Sequence, residues 1–139
     1  MSEPDKQRNR PSAGGFELRP AHFPGRAPLD AYGNGGFRFA DMSHRGSLLL
    51  LPSGIYAWNI GSPGDLSFDA FAQVVAEAAQ VEVLLVGTGL DLVPLPEEWR
   101  RSFRELAVSA DAMATGAAVR TFNVLLAEGR AVAAALIAV

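Results

Sequence analysis

From Val81 to Val139 short apolar runs alternate with stretches of helical period, and this alternation narrows the possible folds more than any other feature of the chain. Val81 to Val86 is apolar except for Glu82 and has the length of a buried strand. A helix follows from about Pro96. Proline suits its first position, and Glu97 and Glu98 stand where the helix dipole favours carboxylates. Its apolar face is Trp99, Phe103 and Leu106, while Glu97–Arg101 and Arg101–Glu105 are i,i+4 pairs for a solvated side. Ala107 to Met113 reads as a short strand. Thr115 is placed to cap a helix reaching Glu128, with Ala118, Phe122 and Leu125 as its buried stripe. Gly129 stands where a left-handed C-terminal cap is needed. Val132 to Val139 closes the chain as an apolar strand. Strands joined through helices imply parallel pairing with right-handed crossovers.

The first half carries a different pattern. Ser47 to Leu51 and Ile55 to Ile60 are apolar runs separated by Pro52-Ser53-Gly54, which predicts an antiparallel hairpin with a three-residue connection. Phe37-Arg38-Phe39 alternates as a half-buried strand, and Tyr32 to Gly36 reads as a turn or irregular loop. Ser67 is positioned as an N-cap, with Phe68, Phe71, Val75 and Ala78 recurring at helical spacing to about Ala79. The expected order is β-β-β-α-β-α-β-α-β: an α/β chain forming a single compact domain around a mixed sheet. Residues 1 to 15 read as a flexible tail and residues 16 to 139 as the domain, beginning with extended chain from Phe16 to Tyr32.

Composition sets limits on chemistry. With 49% apolar and 19% charged residues in 139, the chain can fill one core, and disorder throughout is excluded. Twelve cations against 15 acids give a net charge of −3, with no surplus to neutralise nucleic-acid phosphates. The absence of cysteine removes disulfides, thiolate metal sites and thiol nucleophiles. Lys6 is the sole lysine and lies near a polar terminus, so no core lysine is available for a Schiff base or a phosphate loop. The longest apolar runs fall short of the roughly 20 residues that span a bilayer. The first dozen residues resemble neither a secretory signal nor a transit peptide, and the expected location is the cytoplasm.

Candidate chemistry is sparse. Gly87-Thr88-Gly89 follows a strand, but Leu92 holds the place of a third glycine and the next helix begins too late to present its amides to a pyrophosphate. A tight strand exit is the better reading. His22 and His44 have no second histidine at i+4 and no carboxylate pair at metal spacing; Asp41 lies three residues before His44. No catalytic set, metal site or cofactor motif emerges. Among the last 33 residues twelve are alanine and four are charged: Asp111, Arg120, Glu128 and Arg130. Two readings follow. In one, Thr115, Gly116 and Arg120 meet the Gly87–Gly89 turn to form a polar pocket. In the other these residues cap helices and tie loops.

The segment from Met113 to Leu136, with Thr115-Gly116, Arg120-Thr121-Phe122-Asn123 and Glu128-Gly129-Arg130, resembles the closing motif of the Mth938-like domain family. Tyr32-Gly33, Gly36 to Phe39, the Gly46–Ile60 hairpin and Gly87-Thr88-Gly89 match the family's pattern in the same order. Phe122 stands where tyrosine is common and Val119 where cysteine is often seen. The resemblance implies a three-layer β/β/α domain. The family includes an assembly factor of mitochondrial NADH:ubiquinone oxidoreductase, so it implies a non-enzymatic binding or assembly module, with protein partners in a membrane-associated complex. Its motif positions here are Gly87, Thr88, Gly89, Thr115, Arg120, Thr121, Asn123, Glu128 and Arg130, in the alternative reading a candidate pocket for an anionic small molecule in a binding protein or an enzyme. A third expectation is self-association as a homodimer through the hairpin, should one face of Leu48–Leu51 and Ile55–Trp58 stay uncovered.

Overall fold

The computed structural model describes residues 23–139. The expected tail, His22 and the extended chain before Phe23 lie outside these residues. Strands β1 (Phe23–Pro24), β2 (Ala31–Gly33), β3 (Gly36–Phe39), β4 (Met42–Arg45), β5 (Ser47–Leu51) and β6 (Gly54–Trp58) come first. They are followed by α1 (Ala72–Ala76), β7 (Val83–Gly87), α2 (Glu97–Glu105), β8 (Ser109–Met113), α3 (Thr115–Ala127) and β9 (Val132–Leu136). Six strands form one mixed sheet in the order β1-β6-β5-β9-β7-β8, and β2-β3-β4 form a second, antiparallel sheet.

The α/β class and the layered arrangement agree with expectation. β9 pairs parallel with β7 and antiparallel with β5, which joins the crossover half to the hairpin half. Both faces of the large sheet are covered. Leu49, Leu51, Leu84, Val86, Ala133 and Ala135 pack towards α1 and α2. Leu48, Leu50, Leu85, Val132, Ala134 and Leu136 pack towards α3 and the small sheet's Phe37 and Phe39. This is why Ser47–Leu51 reads as a continuous apolar run rather than an alternating one. It also removes the exposed hairpin face on which self-association was expected: Leu48 to Leu51, Ile55 and Trp58 are all buried.

Several local expectations are corrected. The hairpin turn is Pro52-Ser53 alone, because Gly54 is already in the ladder opposite Leu51. Glycine is required there, since a Cβ would sit 2.5 Å from the Phe23 carbonyl oxygen of the neighbouring β1. The helix expected from Ser67 breaks into a 3-10 turn (Phe68–Phe71), the short α1 and a second 3-10 turn (Ala78–Gln80), and the Ser67 hydroxyl makes no capping bond. A 3-10 turn stacks residues three apart on one side. Phe68 and Phe71 thereby both reach Phe103, with ring centroids 5.2 and 5.7 Å away. Leu106, expected on the buried face of α2, ends that helix with 39% of its surface exposed. Glu97 bonds Arg104 at 2.8 Å. That bond and the arginine's charge hold the Glu97 carboxyl below its ordinary range.

At the end of α3 the expected cap is present in full. Gly129 has φ +75°, its N–H donates to the Leu126 carbonyl, and the Arg130 N–H donates to that of Leu125. Upstream on this helix the Phe122 ring is completely buried, whereas Val124 is 56% exposed. Phe122→Ala is expected to cost about 3–5 kcal/mol in urea unfolding; Val124→Ala should stay within about 0.5 kcal/mol.

Candidate functional site

The carboxyl ends of the parallel strands β7, β8 and β9 are where an α/β sheet usually holds a ligand. Here that region is stitched shut by the chain's own hydrogen bonds. Thr115, expected as an N-cap, is instead the first residue of α3 and is fully buried. Its hydroxyl accepts the Gly89 N–H at 2.9 Å and donates to the Ile137 carbonyl at 2.7 Å. The Thr115 N–H donates to the Gly89 carbonyl at 2.8 Å, and the Ile137 N–H to that of Gly87 at 2.9 Å. A Cβ on Gly87 would lie 3.0 Å from Thr115 and Leu136 atoms, so helix and strand meet there without room for a side chain. The Thr88 hydroxyl donates to the Asp91 carbonyl at 2.7 Å and accepts the Val93 N–H at 2.9 Å, folding the loop after β7 back on itself. The Gly87–Gly89 segment is thus the tight strand exit that the sequence favoured.

The other motif residues are distributed along α3. The Arg120 Nη1 lies 3.4 Å from the Tyr32 hydroxyl, at the surface. Tyr32 crosses the helix at Gly116, where any Cβ would overlap its hydroxyl oxygen. Asn123 accepts the Leu29 N–H at 2.9 Å and donates to the Leu29 carbonyl at 2.8 Å, pinning the chain ahead of β2 to α3 as a strand partner would. Thr121 is partly exposed and Glu128 ends the helix at the surface. Arg130 forms a fork with Glu82 at 3.1 and 3.2 Å, and this bond together with the charges of Glu82 and Glu128 raises its pKa. Gly87, Thr88, Gly89 and Thr115 therefore come together at one end of α3, with Arg120 and Asn123 along its length and Glu128 and Arg130 at the far end.

Two features escaped the sequence reading. The loop between β7 and α2 presents Leu90, Leu92 and Val93 to solvent, at 84, 55 and 40% exposure. Four apolar residues in six looked like ordinary chain because no period marks them. The second is the outward side of the small sheet, where a groove of about 470 Å³ is lined by Tyr32, Asn34, Arg38, Ser43 and Arg45 among others. It was missed because Met42-Ser43-His44-Arg45 has no β-branched or alternating apolar signal for a strand. Among the described residues no group of three His, Asp or Glu gathers as a metal site, and no helix is long and apolar enough to cross a membrane.

The comparisons with known proteins agree with this architecture. Residues 29–137 match the family model described as a protein of unknown function, DUF498/DUF598. The chain belongs to that family. It is 31% identical over 122 residues to the mouse NADH dehydrogenase [ubiquinone] 1 alpha subcomplex assembly factor 3, covering 88% of this chain and 66% of that protein. A crystal structure from Bartonella henselae, titled as an outer membrane protein, superposes with a TM-score of 0.80 at 62% identity over 84% of this chain and 98% of the other. The solution structure of a Mth938-like domain from Bordetella pertussis superposes at 0.70 with 29% identity, over 81% and 85% of the two chains. The Mth938-like resemblance and its layered fold are thereby established. The chain spans just under two thirds of the mouse assembly factor.

Two outcomes follow from the site. Thr115→Val leaves the Gly89 N–H and the Ile137 carbonyl buried without a partner, and should cost about 2–4 kcal/mol in urea unfolding. Thr115→Ser keeps the hydroxyl and should lose only about 1 kcal/mol. His44, whose Nε2 lies 3.2 Å from the Ser47 carbonyl rather than on Asp41, has its pKa pushed down by burial, which that bond partly offsets. The unfolded chain then takes up the proton at higher pH than the folded one, so stability falls as pH drops below about 6.5. Unfolding titrations between pH 7 and 5 should show a shallower fall in His44→Gln.

Proposed function

We propose that this chain is a non-enzymatic assembly module that serves a respiratory membrane complex from the cytoplasmic side, through contacts with protein partners. One observation carries the reading. Where an α/β protein commonly opens a ligand cleft, this one ties its polar groups to each other and presents Leu90, Leu92 and Val93 to solvent. Exposed apolar side chains grouped on one loop are the kind of surface that a partner covers. The similarity to the mouse complex I assembly factor supports the same direction. A second reading, a small anion taken by the motif residues, is favoured by Arg120, whose guanidinium among the described residues bonds only the Tyr32 hydroxyl.

Tagged protein recovered from gently solubilised cells should enrich respiratory-complex subunits over a tag-only control. A Leu90→Asp/Leu92→Asp variant should keep its melting temperature within a few degrees and lose that enrichment. Recovery of the bait alone, or enrichment unchanged in the variant, overturns the docking role of the loop. In that case stabilisation by anionic metabolites, abolished in Arg120→Ala, is the expected alternative. A dimer mass in light scattering would instead make a second copy the partner.

A further inference from the structure

The outward side of the small sheet carries charge that the fold does not use. Gly36 pairs with Arg45 and Arg38 with Ser43 across β3 and β4, so both arginine side chains stand on the same face as a diagonal pair. Both residues are exposed. Among the described residues the ion pairs engage Arg100, Arg104 and Arg130; Arg38 bonds only the Ser43 hydroxyl, at 2.9 Å, and Arg45 has no carboxylate partner. Among the described residues lining the 470 Å³ groove between them Asp and Glu are absent, although the whole chain carries a net charge of −3. The floor is low because Ala31, Gly33 and Gly36 occupy the remaining positions of that face. Gly36 is held to glycine by the His44 carbonyl oxygen, which any Cβ would overlap.

We infer that this groove receives an extended acidic segment of a partner protein, with carboxylates on alternate residues meeting Arg38 and Arg45. The spacing supports a strand-like ligand. Diagonal neighbours in an antiparallel pair stand about 7–8 Å apart, and residues i and i+2 of an extended chain are separated by about 6.6 Å on one side. Guanidinium groups bind carboxylates through paired N–H donors, and the Arg38–Ser43 bond already fixes one of them over the sheet. The groove lies along an exposed face and does not enclose a ligand as metabolite pockets do. The inference rests on the assembly reading only in supposing a protein partner, and it concerns a different surface from the Leu90–Val93 loop.

The test uses the full chain and a fluorescent ten-residue peptide with glutamate at alternate positions, followed by anisotropy at low salt. Binding is expected, weakening as salt rises, and falling at least about tenfold in an Arg38→Gln/Arg45→Gln variant of unchanged melting temperature. The peptide with glutamine in place of glutamate should not bind. Absence of binding by the acidic peptide, equal binding of the glutamine peptide, or undiminished binding by the double variant each overturns the proposal. So does competition by inorganic phosphate at concentrations similar to the peptide's, which would mark a small-anion site. Failure of the pull-down above leaves these readouts intact, so the two readings fail separately.

Discussion

Burial of the large sheet on both faces is the constraint from which the rest of the molecule follows. β5, β7 and β9 sit side by side in its middle, and the leucines of β5 alternate between two separate cores rather than between core and water. A strand in that position is apolar wherever it has no internal polar partner, which explains Leu48–Leu51 and Val83–Gly87; the buried Ser47 hydroxyl donates to the Ile60 carbonyl and accepts the Ala138 N–H. The strand's neighbours must also come close. β9 offers alanine at 134 on the face that α3 covers and at 133 and 135 on the other, so little side chain stands between α3 and the sheet. Any polar group near this middle must find its partner inside the protein. Thr115 meets that demand by bonding Gly89 and Ile137 together.

Much of this was legible in the sequence, and the exceptions have physical reasons. The alternation after Val81, the cap at Gly129, the first-turn carboxylates Glu97 and Glu98, and the exit at Gly87–Gly89 are local signals read from a few residues each. The two-residue turn at Pro52-Ser53 was not legible, because what brings Gly54 into the ladder is the backbone of β1, thirty residues away in sequence. The 3-10 turn at Phe68–Phe71 answers to Phe103, a contact that spacing within the segment cannot reveal. The small sheet was legible in part, in the Phe37–Phe39 alternation and the turn before it, but its pairing was not. Only the positive-φ pairs Asn34-Gly35 and Ala40-Asp41 fold its three strands onto one another, and the second pair contains no glycine to announce it.

The motif that identifies the family turns out to be made largely of residues that hold the fold. Gly87 lets helix and sheet touch, Gly89 turns the chain at φ +107° and bonds the Thr115 hydroxyl, Asn123 substitutes for a strand partner, and Gly129 ends a helix. Such residues carry an architecture from one relative to the next without carrying an activity. Arg120 stays at the surface of α3, and two further exposed features lie outside the motif, the apolar loop after β7 and the arginine-bearing face of the small sheet. The loop has no period that sequence patterns register, and β4 has no alternation to match that of β3.

The position of β9 bears on how the protein is made. It follows β5 and β7 in sequence, yet it lies between them and pairs with both. While the ribosome is still adding residues before Val132, those two strands have no neighbour between them, and each presents an open row of backbone groups beside apolar surface. A nascent chain of this topology cannot complete its sheet until residues 132–136 have left the exit tunnel. Until then the facing edges of β5 and β7 stay open to other strands.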